Sequence, residues 1–314
     1  FTVRVDLPPH TVDVLVVALS RDGRRSVTRV GPVLGLPAAA APRFRLARED
    51  ASLARTVRAL ASSFGGTAGV YVQSLTGGAG AAWNAAARFP AASTLKLAIA
   101  AAVLARHEGL PAPGSWLGAA LRRMLTWSDD RTANDLEVWL AGSTSAGGRV
   151  VTELLHSIGA TSSEMYGGYL VERRTSATIP RRVESQPSYG VGKHTTAADL
   201  ATLARAVWLA SGNRGPLRRT QPGFTAADGR HLLYLLAGVR DPGKLDRRIA
   251  GLPGVVVLHK AGWISTARHD AGLVFWRGGV LAAAVLTWAP RGAGLSSDVL
   301  AGDVAWAALQ RFRA

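Results

Sequence analysis

The sequence predicts an α/β chain, an α+β sandwich in which one five-stranded antiparallel sheet is flanked by helices. Three observations predict it. Two strand-like segments lie early, Gly69 to Leu75 and Ala81 onward, and three lie late, Val255 to Lys260, Gly272 to Trp276 and Val280 to Trp288. A long, mostly helical block separates them, from Thr94 to about Ala210. The turn Gly77-Gly78 follows the first strand, and Arg277-Gly278-Gly279 makes the last two a hairpin. Strands that far apart form one sheet only if distant segments close it.

The elements follow in order. Residues 1–35 read as strands: Thr2 to Leu7 alternates, Val14 to Leu19 is valine-rich, and Ser26 to Val33 alternates after the turn Arg21-Asp22-Gly23-Arg24. Leu36 to Pro42 is proline- and alanine-rich and reads as a linker, so residues 1–42 form a small β-rich segment outside the main domain, 43–314. That segment is too small for a robust core of its own. Glu49 to Phe64 has helical spacing at Leu53, Val57 and Leu60 and stops at Gly65-Gly66. Ser93 to Arg106 is strongly helical, a helix runs from Arg131 to Leu140, and Asp298 to Phe312 closes the chain as a helix.

Composition narrows the class. The chain of 314 residues is 48% hydrophobic and 18% charged, which fits a globular protein and not a disordered one. Cysteine is absent, which excludes disulfides, thiolate catalysis and zinc–cysteine sites. No uninterrupted apolar run reaches the length of a membrane span. The net charge of +16 suits a polyanion partner, but the arginines are scattered in pairs such as Arg24-Arg25, Arg122-Arg123, Arg173-Arg174 and Arg247-Arg248. Scattered charge reads as a solvated face, and no nucleic-acid partner is expected.

Lysine carries the chemistry. Of 37 cationic residues only Lys96, Lys193, Lys244 and Lys260 are lysine. A buried ammonium can lose its proton, whereas a guanidinium effectively cannot. In Ser93-Thr94-Leu95-Lys96 the helical spacing sets Lys96 beside the Ser93 hydroxyl, and desolvation would let the amine accept the serine proton. Taken alone, Ser93 reads better as a helix N-cap, and Ser128 in Ser128-Asp129-Asp130 also reads as a cap, which is compatible with a functional role. Functionally, Ser128 would relay a proton to a leaving nitrogen, with Asn134 near the same site. Lys260 ends a strand in His259-Lys260-Ala261-Gly262. It reads as a fixed cation for a substrate carboxylate, or as an edge-strand lysine that blocks aggregation. Gly262 permits close backbone approach, and the Trp263 N–H with the Ser93 N–H would make an oxyanion hole.

The order S-x-x-K, S-D-x, K-x-G is the signature of active-site serine penicillin-recognising enzymes. From about residue 45 to 314 the chain resembles the class A β-lactamase family and its penicillin-binding relatives. Besides the three motifs, the stretches Arg88 to Leu97, Ser128 to Asn134, Thr195 to Leu200 and Ile249 to Pro253 carry the likeness. The resemblance implies a β-lactamase/transpeptidase-like fold, an α/β domain plus an all-helical subdomain with the site in the cleft. It implies Ser93 as nucleophile, Lys96 as general base, Ser128 as proton relay, Lys260 as electrostatic anchor, and neither metal nor cofactor. It further implies a β-lactam or D-alanyl peptide substrate, a monomer, and a secreted or cell-envelope location.

Four departures qualify it. Asp130 stands where the family usually has asparagine, and an ionised carboxylate donates no hydrogen bond to a substrate. Ala261 replaces a hydroxyl residue, for which Arg268 could compensate. The stretch from Lys96 to Ser128 is short, so the cleft is expected to be more open. No E-x-x-L-N motif supplies a deacylating glutamate; Glu164, Glu172 and Glu184 fall in the right region outside any such motif. Three functions follow for testing: a serine hydrolase, foremost of β-lactams and next of D-alanyl peptides or esters; a degenerate wall-binding relative; and, on charge alone, a nucleic-acid protein.

Overall fold

A computed structural model of the chain describes residues 5, 7–37, 42, 47–169 and 192–313. Its centre is a sheet of the five expected antiparallel strands. They are β4 (Thr67–Ser74), β5 (Ala79–Trp83), β8 (Val256–Ile264), β9 (Ala267–Trp276) and β10 (Gly279–Trp288). The two-residue strand β3 (Arg48–Glu49) adds a sixth, parallel to β5, giving the order β3-β5-β4-β10-β9-β8. The early and late strands meet at β4 and β10, where Val70 lies opposite Val285.

Alternation along these strands feeds two cores. Leu281, Ala283 and Val285 pack with α1 (Ala51–Ser63) and α9 (Leu295–Arg313). Ala282, Ala284 and Leu286 face a helical layer on the other side. Being buried on both faces, β10 reads as a continuous apolar run and not as a polar–apolar alternation. The helical layer holds α2 (Lys96–Arg106), α3 (Trp116–Trp127), α4 (Asp130–Ala141), α5 (Thr144–Ser157), α6 (Ala197–Ser211), α7 (Gly215–Thr220) and α8 (Ala226–Ala237). Two of these, α7 and α8, extend the helical block beyond its expected end. Two-residue strands β6 (Phe89–Pro90) and β7 (His194–Thr195) pair beside it.

The N-terminal strands form a separate ribbon, β1 (Thr11–Leu19) with β2 (Arg25–Leu34), around a turn in which Gly23 has φ +81°. β2 rests on α8, and Leu34 and Leu36 pack on the main core. The expected strand Thr2 to Leu7 falls largely outside the described residues. Among the described residues no helix is long and apolar enough to cross a membrane.

Candidate active site

The serine at position 93 stands in a turn of 3-10 helix, Ala92–Leu95, that runs directly into α2. It caps neither: the residues at the two N-cap positions, Ala91 and Leu95, make no side-chain cap bond. Ala92 takes φ +47°, which turns the chain sharply just before Ser93. Ahead of it, Pro90 is held by the sheet: the buried His269 on β9 lies 2.7 Å, through Nε2, from the Pro90 carbonyl. The Thr287 amide donates to His269 Nδ1, so Nε2 carries the proton and the ring is neutral. Burial, first, holds its pKa down to about 4.

The corresponding serine at 128 is not a helix N-cap either. Asp129 caps α4 by accepting from the Thr132 amide, and Ser128 ends α3 in the left-handed region, φ 57°. That conformation aims its oxygens at two lysines. Lys96 is fully buried, with Nζ 3.0 Å from Ser93 Oγ, 2.5 Å from the Ser128 carbonyl and 3.4 Å from Ser128 Oγ. Asp130 Oδ1 lies 2.5 Å from the same ammonium. Lys260, on β8, reaches Ser128 Oγ at 3.0 Å and the Ala261 carbonyl at 2.6 Å. The structure therefore brings Ser93, Lys96, Ser128, Asp130 and Lys260 into one chain of contacts.

Electrostatics separate the two lysines. Burial pulls the Lys96 pKa below the usual lysine value, while the hydrogen bond and charge of Asp130 oppose the fall. Burial, then repulsion from Lys96, lowers Lys260 to about 7. Behind Lys260, the neighbouring His259 pairs with Asp270 at 2.7 Å, and Asp270 also accepts from the Leu245 amide. The strand carrying Lys260 is thus pinned from its other face.

Gly262 has a specific steric reason. A Cβ there would stand 2.6 Å from the Ser93 nitrogen and 2.8 Å from the Thr94 nitrogen. The strand and the Ser93 turn meet backbone to backbone, and only glycine fits. Ala261 is buried and offers its carbonyl to Lys260, while the Trp263 side chain is 60% exposed.

Two expected substrate contacts find other partners. Arg268 is a two-point ion pair with Asp298, at 3.0 and 2.7 Å, because α9 packs a carboxylate against β9 at that point. Asn134 spends both ends of its amide on the Tyr169 backbone, donating to the carbonyl and accepting from the amide at 2.6 Å each.

Tyr169 is the site residue the sequence reading missed. Its ring lies 4.4 Å from Lys96 Nζ and 4.5 Å from Lys193 Nζ, and its hydroxyl donates to the Ala92 carbonyl at 3.1 Å. Burial, with the charges of Glu137 and Asp130, raises its phenol well above the usual value, so it remains protonated. The only advance signal was position: Tyr169 follows Glu164 by five residues in the region scanned for a carboxylate. Glu164 itself pairs through its backbone with His194, and its side chain lines a cavity with Arg149, Glu153 and Tyr166, not the Ser93 cluster. Glu172 and Glu184 lie outside the described residues.

A serine and a lysine on one helical turn, a second serine between two buried lysines, and an α/β sheet beside a helical layer define a β-lactamase-like serine hydrolase. Residues 52–109 and 116–312 match the beta-lactamase enzyme family, and the chain belongs to it. No curated protein matches the sequence. Among solved structures the chain is similar to PBP-A, at 19% identity and TM-score 0.66 over 86% of this chain and 99% of that one. It is also similar to a beta-lactamase from Sphaerobacter thermophilus, at 21% identity and TM-score 0.63 over 83% and 97%. A PBP-A mutant solved as an acyl-enzyme complex with penicillin G gives 19% identity and TM-score 0.62 over 86% and 99%.

Proposed function

We propose that the chain forms an acyl-enzyme at Ser93 by opening a β-lactam amide or a D-alanyl peptide-type bond, and releases the acyl group slowly. The observation that carries it is the placement of Lys96 Nζ between Ser93 Oγ and Ser128. In its neutral form Lys96 takes the Ser93 proton as Oγ bonds to the substrate carbonyl carbon. The oxyanion forms where the Ser93 turn abuts β8. As the C–N bond breaks, the proton passes from Lys96 through Ser128 Oγ to the leaving nitrogen. In its charged form Lys260 sets a positive charge beside Ser128 and binds a substrate carboxylate.

Slow release is supported by Tyr169. A water attacking the acyl-enzyme needs a base, and the group packed beside Lys96 is a protonated phenol clamped by Asn134. A second reading, a wall-binding relative without turnover, is favoured by Asp130, which stabilises the charged form of Lys96. Both readings suit a cell-envelope or secreted protein, because wall peptides and β-lactams are met there. The family match begins at residue 52, which supports treating residues 1–42 as a segment outside the hydrolase domain.

The test is intact-protein mass spectrometry over time with a penicillin and a chromogenic cephalosporin. The expected result is a long-lived adduct that Ser93→Ala abolishes. A transient adduct with rapid product release would instead mean an efficient β-lactamase. Absence of any adduct would leave the binding reading.

A further inference from the structure

Asp130 has a second, unspent oxygen in the cleft. Its Oδ1 holds Lys96, and among the described residues no hydrogen bond reaches Oδ2. Its side chain keeps 34% of its surface exposed, while its partner Lys96 keeps none, so the open part of this ion pair is the carboxylate. The adjacent Asp129 is fully engaged, by Arg123 and by the amide and hydroxyl of Thr132. Asp130 is also the first residue of α4, so the helix fixes where its carboxylate stands. A single ammonium, Lys96 Nζ, touches both Asp130 and Ser93 Oγ. An acyl group attached to Ser93 Oγ therefore starts one side chain away from an exposed anion.

We propose that Asp130 is a specificity residue that selects acyl donors carrying an ammonium group close to the reactive carbonyl and rejects those carrying a carboxylate there. The inference rests on the acyl-enzyme reading and names its substrate class: aminoacyl amides and lactams. A substrate ammonium at Oδ2 pairs with the carboxylate directly. It also competes with Lys96 for the same anion, loosening the contact that keeps Lys96 charged and freeing the amine to take the Ser93 proton. Selection therefore shows in the rate of acylation as well as in binding. A substrate carboxylate meets the opposite sign and gains neither effect. The cations on the other side, Lys260 at Ser128 and Lys193 at Tyr169, leave Asp130 as the carboxylate in contact with the catalytic cluster.

The experiment compares three penicillins that differ at one carbon: benzylpenicillin, its α-amino derivative and its α-carboxy derivative. Adduct formation at Ser93 is timed by mass spectrometry near pH 6.5, below the α-amino pKa of about 7.7. The expected order is amino, then unsubstituted, then carboxy, with steps of roughly five- to tenfold for a half-exposed charge contact. Asp130→Asn will change all three rates, since it touches Lys96, so the readout is their ratio. In that variant the spread should collapse to about threefold or less. Raising the salt concentration should narrow the wild-type spread in the same direction. Equal wild-type rates, or an unchanged spread in Asp130→Asn, would overturn the selection while leaving acylation intact. No adduct from any of the three would overturn the acyl-enzyme reading and the selection with it.

Discussion

The two walls of the cleft each bury a lysine, and they treat it differently. On the helical wall Lys96 meets a serine hydroxyl, a carbonyl, an aromatic face and a carboxylate. On the strand wall Lys260 meets a serine hydroxyl and a carbonyl and, among the described residues, forms no ion pair. Burial lowers both, but Asp130 restrains only Lys96. In the mechanism proposed above, Lys96 takes and returns a proton and has a partner that can be displaced, whereas Lys260 holds an anion and has its charge unspent until the anion arrives. The contrast lies in the neighbours, since the side chain is the same.

Arginine at each position sharpens the contrast most. Lys96→Arg keeps the charge and loses the proton transfer, so acylation should fall by roughly 10²- to 10⁴-fold in timed mass spectrometry. Equal rates in Lys96→Arg and wild type would remove Lys96 from the proton path.

The strand wall carries another buried base, His269, and its cost appears in stability. Its folded-state pKa of about 4 lies below the ordinary 6.5, so the unfolded chain binds the proton more readily between those values. Stability is full above pH 6.5 and is lost as pH falls toward 4, by up to about 3 kcal/mol. Urea unfolding at neutral and acid pH measures it; a flat profile would mean His269 is not neutral and buried as described.

Gly262→Ala breaks the contact between the walls. Backbone nitrogens at 2.6 and 2.8 Å cannot yield as a flexible side chain would. The expected loss is about 1–3 kcal/mol of stability, with slower acylation as the Ser93 turn shifts. A variant of unchanged stability and rate would show that the two backbones are not in contact.

The smallest effect is expected at Lys260. Lys260→Arg keeps the cation, so at pH 6 the rate should fall by no more than about tenfold. Wild-type acylation of a carboxylate-bearing substrate should weaken as pH rises through about 7, where Lys260 loses its charge. In Lys260→Arg that limb should vanish, because arginine stays charged. A limb that persists in the variant would belong to another group.

Much of this was legible in the sequence for local reasons. The helix α1 was read from Leu53, Val57 and Leu60, and those that lie fully inside, Leu53 and Val57, face the sheet. The five main strands were legible because they are β-rich runs, several of them bounded by turn glycines such as Gly77, Gly78 and Gly278. β8 and β9 extended by four or five residues beyond their expected edges, since pairing of Ala261 to Ile264 with Ala267 to Asp270 carries the ladder up to the turn at Ser265 and Thr266. The ribbon β1–β2 and the hairpin β9–β10 look alike in sequence. Yet Leu15, Val17 and Leu19 stand exposed in the first, while every residue of β9 but one is buried. Alternation reports that a strand forms, not what covers it.

The sequence by itself determined the inventory: a lysine three residues after a serine, a second serine beside two aspartates, and a lysine two residues before a glycine, although Lys260, expected at a strand's end, lies in the middle of β8. Those are facts of covalent spacing, which a turn of helix or a strand converts directly into position. Tertiary structure alone decided the partners. Asp130 closes on Lys96, Arg268 is taken by Asp298, Asn134 clamps Tyr169, and Tyr169 lies against Lys96. Each joins residues about 30 or more positions apart. A buried polar group must find a partner wherever packing brings one, and packing is a property of the whole chain.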